Sequence, residues 1–186
     1  VKSVQIDIMD SSLTDSSTWP YKKRSEDLIS HAEIDYLGDQ NVEIEIDLMV
    51  SNPEDKIYDW IASGISTFII HIESTEHISE IIGLLKDSGK KVGIALKPST
   101  DENNLLNYLD KVDFIQCMGN DKIGYHGVGL DEKVYNKIKI IREMNSTIPI
   151  SVDIGVNRDT APKLIEAGAT KLVSGSAIYN SDDIEE

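Results

Sequence analysis

Residues 4–10 read VQIDIMD. Val4, Ile6 and Ile8 alternate with Gln5, Asp7 and Met9, the two-residue period of a β-strand. One face is apolar; the other carries an amide, a carboxylate and a thioether. An acid between two apolar residues would suit a sheet with one wet face. The rest of the chain favours a different arrangement. Six further β-rich runs follow, at 43–50, 67–73, 91–97, 112–118, 148–153 and 171–176.

Between most of these runs lies a segment of helical period. Asn52-Pro53 ahead of EDKIYDWIASG reads as an N-cap followed by proline at the first helical position. Ile57, Trp60 and Ile61 give that helix an apolar stripe. Ile78, Ile81, Ile82 and Leu85 form a second stripe, and Val134, Ile138 and Ile141 a third. Gly64, Gly89 and Gly168 each stand shortly before the next strand, as helix C-caps feeding short loops. The 11–42 segment is the least regular: Ser, Thr and Asp first, then one helix near 24–37. From position 43 onward the regular succession of strand and helix is a βα period, which implies parallel strands. No linker interrupts it, so residues 1–186 read as one domain.

Parallel βα units build either an open doubly wound sheet or a closed barrel. Alternation along the strands separates two faces. One collects Val4, Ile6, Ile8, Ile44, Ile46, Leu48, Phe68, Ile70, Ile72, Val92, Ile94, Leu96, Ile115, Ile150 and Val152, an apolar set suited to an outer helical layer. The other collects Gln5, Asp7, Met9, Glu45, Asp47, Met49, Ile69, His71, Glu73, Ala95, Lys97, Gln116, Met118, Ser151 and Asp153, a mixed set with its polar members towards the strand C-termini. A sheet covered by helices on both faces should lack such a face. A (β/α)8 TIM barrel should have one, because its active site sits at the C-terminal mouth. Seven strands are one short of eight.

The chain has 186 residues and a net charge of −15. That charge disfavours nucleic acid and anionic membrane, both of which need a basic footprint. A small anionic substrate remains compatible, since backbone N–H groups can bind it locally. Cys117 is the single cysteine, so no intrachain disulfide forms and nothing points to secretion. No apolar run approaches the ~18 residues of a membrane span. A cytoplasmic protein is the expectation, and a homo-oligomer is compatible with it. The sequence starts at Val1 rather than Met, as a piece of a longer chain would.

Seven stretches in order now resemble the ribulose-phosphate 3-epimerase family of (β/α)8 barrels: IDIMD at 6–10, DLMVSNPEDKI at 47–57, HIES at 71–74, GIALKPST at 93–100, VDFIQCM at 112–118, SVDIGV at 151–156 and EAGATKLVSGSAIY at 166–179. The resemblance implies epimerisation of a ketose phosphate at C3 through an ene-diolate. It implies Asp7 and Asp153 as the acid/base pair, which chemistry requires in different protonation states near neutral pH. Met9, Met49 and Met118 match the methionines that wall the intermediate. Gly155, Gly175 and Ser176 match phosphate-binding positions after the last two strands. The family's first βα unit and most of its last helix have no counterpart, as in a chain clipped at both ends or one whose missing strand is supplied otherwise.

The chain departs from the family pattern at the metal ligands. Gln5 replaces the first histidine and Asp47 the second; Ile154 stands where the seventh strand's first glycine would be. The loop GNDKIGYHGVGL at 119–130 keeps Gly124 and Gly127 but has Val128 for the family glutamine. With Asp7, Asp47 and Asp153 as metal ligands beside Gln5, the set is all oxygen and favours Mg²⁺ or Mn²⁺ over Zn²⁺. Alternatively no metal binds and the Lys97 ammonium supplies the positive charge.

Five acids on one face (Asp7, Glu45, Asp47, Glu73 and Asp153) repel one another unless a cation is present, which favours a charged site. His71 reads as a hydrogen-bonded interior histidine, His31 and His77 as helix-surface residues, and His126 as a loop residue within reach of a substrate. The leading expectation is an isomerase acting on a phosphorylated sugar. A non-catalytic sugar-phosphate-binding barrel is the second. A decarboxylase or aldol-type enzyme of the same barrel group, pairing Asp with Lys97, is the third.

Overall fold

The computed structural model describes residues 3–18, 20–21, 42–62 and 65–181. The helix expected near 24–37, His31 and the Gly64 cap lie outside them. Seven strands follow in chain order: β1 (Ser3–Met9), β2 (Glu43–Met49), β3 (Thr67–His71), β4 (Lys91–Leu96), β5 (Phe114–Met118), β6 (Ile150–Asp153) and β7 (Lys171–Leu172). They are ordered β1-β2-β3-β4-β5-β6-β7. The β1–β2, β2–β3, β5–β6 and β6–β7 pairs are parallel. The architecture is α/β of the (β/α)8-barrel type, with seven strands among the described residues. No helix among those residues is long and apolar enough to cross a membrane. The chain divides into two compact units, Val1–Ile94 and Ala95–Glu186, and the division falls within β4.

In the first unit, β2 is buried from Ile44 to Met49 and β3 throughout. Burial on both faces is the habit of parallel strands. Helix α1 (Ile57–Ile61) buries Ile57 and Trp60; helix α2 (Ile78–Asp87) buries Ile78, Ile81, Ile82 and Leu85, the full expected stripe. Each of those four aliphatic side chains contributes about 2 kcal/mol of transfer free energy. Helix α2 ends in a Schellman motif: Lys90 N–H donates to Leu85 O and Gly89 N–H to Lys86 O, with Gly89 at φ +72°.

The expected cap at Asn52 is corrected. Asn52 adopts a left-handed backbone (φ 49°) and its side chain makes no capping hydrogen bond. Pro53–Asp55 forms a separate 3₁₀ turn, and α1 starts only after Lys56. Proline disfavours a helical residue before it, and asparagine tolerates the left-handed region. Asn52 instead donates its backbone N–H to Ser74 O at 3.2 Å, tying the loop after β2 to the turn after β3.

In the second unit, β5 is buried along its length and helix α3 (Lys133–Met144) packs against it. Val134, Ile138 and Ile141 are buried as expected, but so is Lys137. Its ammonium donates to Thr100 O and, at 2.8 Å, to Glu102 Oε1, which satisfies a charge that could not otherwise be buried. Arg142, in the last turn of α3, donates to Ile148 O and Gly168 O, both at 2.8 Å. Helix α4 (Ala161–Ala167) closes on Gly168 at φ +120° with a second Schellman motif. Residues 98–113 contain only a 3₁₀ turn, Glu102–Leu105, whose N-cap Asp101 accepts the Asn103 N–H at 2.8 Å. The last strand is shorter than the 171–176 run: β7 spans two residues, Val173 N–H still donates to Val152 O at 2.8 Å, and Ser176 opens helix α5 (Ser176–Tyr179).

Candidate active site

In the first unit, β1 and β2 run in register with Gln5 beside Glu45, Asp7 beside Asp47 and Met9 beside Met49. The period of two puts all six side chains on one face, on strands about 4.8 Å apart. Asp7 is half-buried; Asp47 and Met49 are buried. The Gln5 Nε2 amide donates to Asp7 Oδ1 at 3.0 Å. The chain after β1 folds back and fixes the strand end. Thr18 donates Oγ1–H to Asp7 O at 2.8 Å, and its Oγ1 accepts the Met9 N–H at 2.9 Å. These bonds hold the Asp7 and Met9 backbone where their side chains leave the strand.

His71 ends β3 on the same face. Its Nε2 lies 3.0 Å from Asp47 Oδ1, and both side chains are fully buried. Glu73 Oε2 lies 3.7 Å from Nδ1 on the other side, beyond hydrogen-bond range but close in charge. Burial alone would lower the His71 pKa; the Asp47 carboxylate, its hydrogen bond and Glu73 outweigh it and raise the value from 6.5 to about 9. The interior, hydrogen-bonded histidine expected from the sequence is thus observed, and its partner is a proposed metal ligand. The donor chemistry of this face fits a hard cation. Two carboxylates stand side by side, one wholly buried, with an amide next to them and no thiolate.

In the second unit, Gln116 on β5 stands beside Ser151 on β6, and Met118 beside Asp153. Ser151 Oγ is buried without a hydrogen-bond partner. The Asp153 carboxylate accepts the N–H of Ile154 at Oδ1, 2.8 Å away. Ile154 holds φ at 75°, rare for a β-branched residue, and Gly155 follows at 74°. The backbone here is closely packed. Gly119 donates its N–H to Asp153 O at 2.5 Å, and Asp131 donates to Gly119 O at 2.7 Å. A Cβ on Gly155 would fall 2.5 Å from Leu130 N and 2.7 Å from Leu130 Cα. Glycine at 155 is therefore explained by the packing of the loop that ends at Leu130.

Gly175 differs. It lies at φ −107°, and a Cβ there would meet nothing within 4 Å. Ser174 Oγ donates to Val156 O at 3.2 Å, bringing the chain beside Gly155 next to the chain beside Gly175 and Ser176. Lys97 is half-buried directly after β4. In the loop after β5, Gly124 and Gly127 both take positive φ, and His126 is exposed.

The structure thus groups Asp7, Asp47, Met9 and Met49 on one face of the first unit, and Met118 with Asp153 on one face of the second. Two features of the site are not legible in the sequence, the pairing of His71 with Asp47 and the backbone of Ile154. His71 was placed correctly inside, but its pairing with Asp47 spans two strands, and only the shared alternation of faces hinted at it. The left-handed Ile154 had no local signal, because isoleucine argues against that conformation.

The chain matches the model of the ribulose-phosphate 3 epimerase family over residues 1–179. It is 33% identical over 145 residues to ribulose-phosphate 3-epimerase of Bacillus subtilis (strain 168), covering 75% of this chain and 66% of that protein. It is 34% identical over 149 residues to the chloroplastic ribulose-5-phosphate-3-epimerase of Arabidopsis thaliana, covering 77% and 53%. With the ribulose-phosphate 3-epimerase of Escherichia coli (strain K12), identity is 31% over 144 residues, covering 75% and 64%. The chain therefore spans between about half and two thirds of the length of these relatives. Among solved structures, the tryptophan synthase complex of Pyrococcus furiosus aligns with a TM-score of 0.60 at 16% identity, covering 96% of this chain and 77% of that one. At that identity the likeness concerns the fold alone. With the matched region running from the first strand to the last helix, the chain belongs to the ribulose-phosphate 3-epimerase family.

Proposed function

We propose that the protein is a ribulose-phosphate 3-epimerase-like isomerase that inverts a ketose phosphate at C3. The observation that carries the reading is the in-register pair of Asp7 and Asp47, with Asp47 buried and held by His71. Like charges side by side cost stability unless a cation or a charged substrate uses them. Family membership supplies the chemistry such a site would perform.

Asp7 and Asp153 are the acid/base pair. One carboxylate removes the C3 proton, and the electron pair shifts towards the C2 carbonyl oxygen to give an ene-diolate. The other carboxyl, protonated, returns a proton to C3 on the opposite face. The pair exchanges roles in the reverse direction. Met9, Met49 and Met118 wall the planar intermediate with soft apolar surface and keep water from it. Main-chain groups near Gly155, Gly175 and Ser176 bind the phosphate. Asp7, Asp47 and Asp153 are the residues that would hold a divalent cation, Mg²⁺ or Mn²⁺ by donor chemistry. When bound, that cation would hold down the charge developing on the C2 oxygen.

The test is proton exchange. With the full chain and a 2-ketose 5-phosphate in deuterated water, the C3 hydrogen should wash out, and Asp153→Asn should stop the loss. Absence of washout from every ketose phosphate tried would remove the enzyme reading. One observation favours a second: Gln5, in place of a histidine, donates to Asp7 Oδ1 and thereby engages the proposed base. A barrel that binds sugar phosphate without turnover would give a calorimetric binding signal and no exchange.

A further inference from the structure

We propose that His71 is a positioning residue for Asp47: its imidazole fixes the orientation of a carboxylate that stands where the family has a histidine ligand. The inference rests on the cation site of the proposed function and adds a residue to it. A ligating histidine is a rigid ring with one nitrogen to offer. An aspartate in its place is looser, because its terminal torsion is broad and it carries two equivalent oxygens. Something must restrain it if it is to replace the ring.

The first unit supplies that restraint. Asp47 is in register with Ile69 on β3, and His71 lies two residues further along the same face. Nε2 and Oδ1 are 3.0 Å apart. A carboxylate only accepts, so Nε2 carries the hydrogen, and the bond has one direction. Both groups are fully buried, so water does not compete for either.

The mount of His71 is itself braced. Ser74 donates both its N–H (3.0 Å) and its Oγ–H (2.7 Å) to His71 O. Ser74 O in turn accepts from Asn52, just beyond the strand that carries Asp47. The donor and acceptor strands are therefore tied together one step past the site. A hydrogen bond between fully buried groups on two tied strands leaves Asp47 one orientation. Partners that orient a metal ligand in this way typically govern 10–100-fold in metal affinity.

The experiment titrates the full chain with Mn²⁺ alone and reads affinity by calorimetry, independent of any turnover. His71→Leu removes the donor. His71→Gln keeps it, since the glutamine amide nitrogen reaches the place of Nε2. His71→Asn retains polarity but is too short to span the bond, and it supplies the same comparison should the leucine variant fail to fold. The expected result is a 10–100-fold loss of Mn²⁺ affinity in His71→Leu and His71→Asn, with His71→Gln within a few-fold of wild type. A role confined to packing would lower the melting temperature of all three and leave affinity unchanged. Wild-type affinity in a folded His71→Leu or His71→Asn overturns the inference while leaving the cation site intact. Equal losses in His71→Gln and His71→Leu overturn it too, since the donor would then be irrelevant. A wild-type protein that takes up no Mn²⁺ removes the cation site and this inference with it.

Discussion

Gly155→Ala should cost far more than Gly175→Ala, although both glycines match phosphate-binding positions. At 155 an added methyl meets three atoms of Leu130, at 2.5, 2.7 and 2.9 Å, and two of them are backbone. Backbone cannot rotate aside as a side chain can. The residue must also hold φ at +74°, which costs an alanine about 1 kcal/mol. Overpacking against fixed neighbours adds about 1–3 kcal/mol. The sum is about 2–4 kcal/mol. For a chain of this size each kcal/mol lowers the melting temperature by about 2–4 °C, so a fall of about 5–15 °C is expected. At 175, φ is −107° and the methyl meets open space, so the melt should stay within about 2 °C of wild type, as for a neutral surface change. Thermal denaturation followed by circular dichroism reads both. A Gly155→Ala variant that melts with the wild type would refute the packing argument. Gly175→Ala, stable in either case, then isolates substrate binding: a drop in sugar-phosphate affinity there cannot be ascribed to unfolding.

Cys117 is fully buried, and burial pushes its thiol up to about 12, so it should resist a disulfide exchange reagent in the native protein and react once in denaturant. Stoichiometric labelling under native conditions would contradict the described packing of β5. The His71 value of about 9 lies above the 6.5 of an unfolded histidine, so its charged form stabilises the fold fully below pH 6.5. That contribution fades as pH rises and is lost above about 9. The urea midpoint of the metal-free protein should therefore fall between pH 7 and about 9.5, and His71→Gln should flatten the fall; a wild-type midpoint that rises over this window would contradict the Asp47 pairing.

What the sequence made legible was local and periodic. Ile78, Ile81, Ile82 and Leu85 announce α2 because a 3.6-residue period leaves few other ways to bury four aliphatic side chains. Gly89 and Gly168 announce helix ends because left-handed backbone is open to glycine. The strands from 43 to 97 were legible for the same reason. The failures were of two kinds. At Asn52 a familiar capping residue was used for its tolerance of left-handed backbone, so the reading of type was right and the reading of role was not. Lys137 is buried because Thr100 and Glu102, far away in sequence, meet its ammonium; nothing near it in the chain encodes that.

The acid between two apolar residues at the start of the chain belongs to the second kind. Asp7 sits on a face shared with Gln5 and, across the strand, with Asp47, so its environment is polar although its neighbours in sequence are not. Alternation could say that Gln5, Asp7, Asp47 and His71 point the same way. It could not say that Gln5 donates to Asp7, or that His71 donates to Asp47, because those bonds depend on strand register and side-chain reach. The two departures from the family's histidines thereby acquire a physical content. At position 5 an amide that donates replaces a ring that could ligate. At position 47 a carboxylate that accepts replaces another, and a histidine one strand over takes up the donor role. The exchange of ligand types keeps a donor for the buried Asp47 carboxylate, while the other ring nitrogen of His71, Nδ1, is buried without a hydrogen-bond partner and has Glu73 Oε2 3.7 Å away. Without His71 the buried Asp47 carboxylate would lose the donor it now has at 3.0 Å, at about 1–3 kcal/mol, so the residue that replaced a ligand and the residue that holds it form one unit.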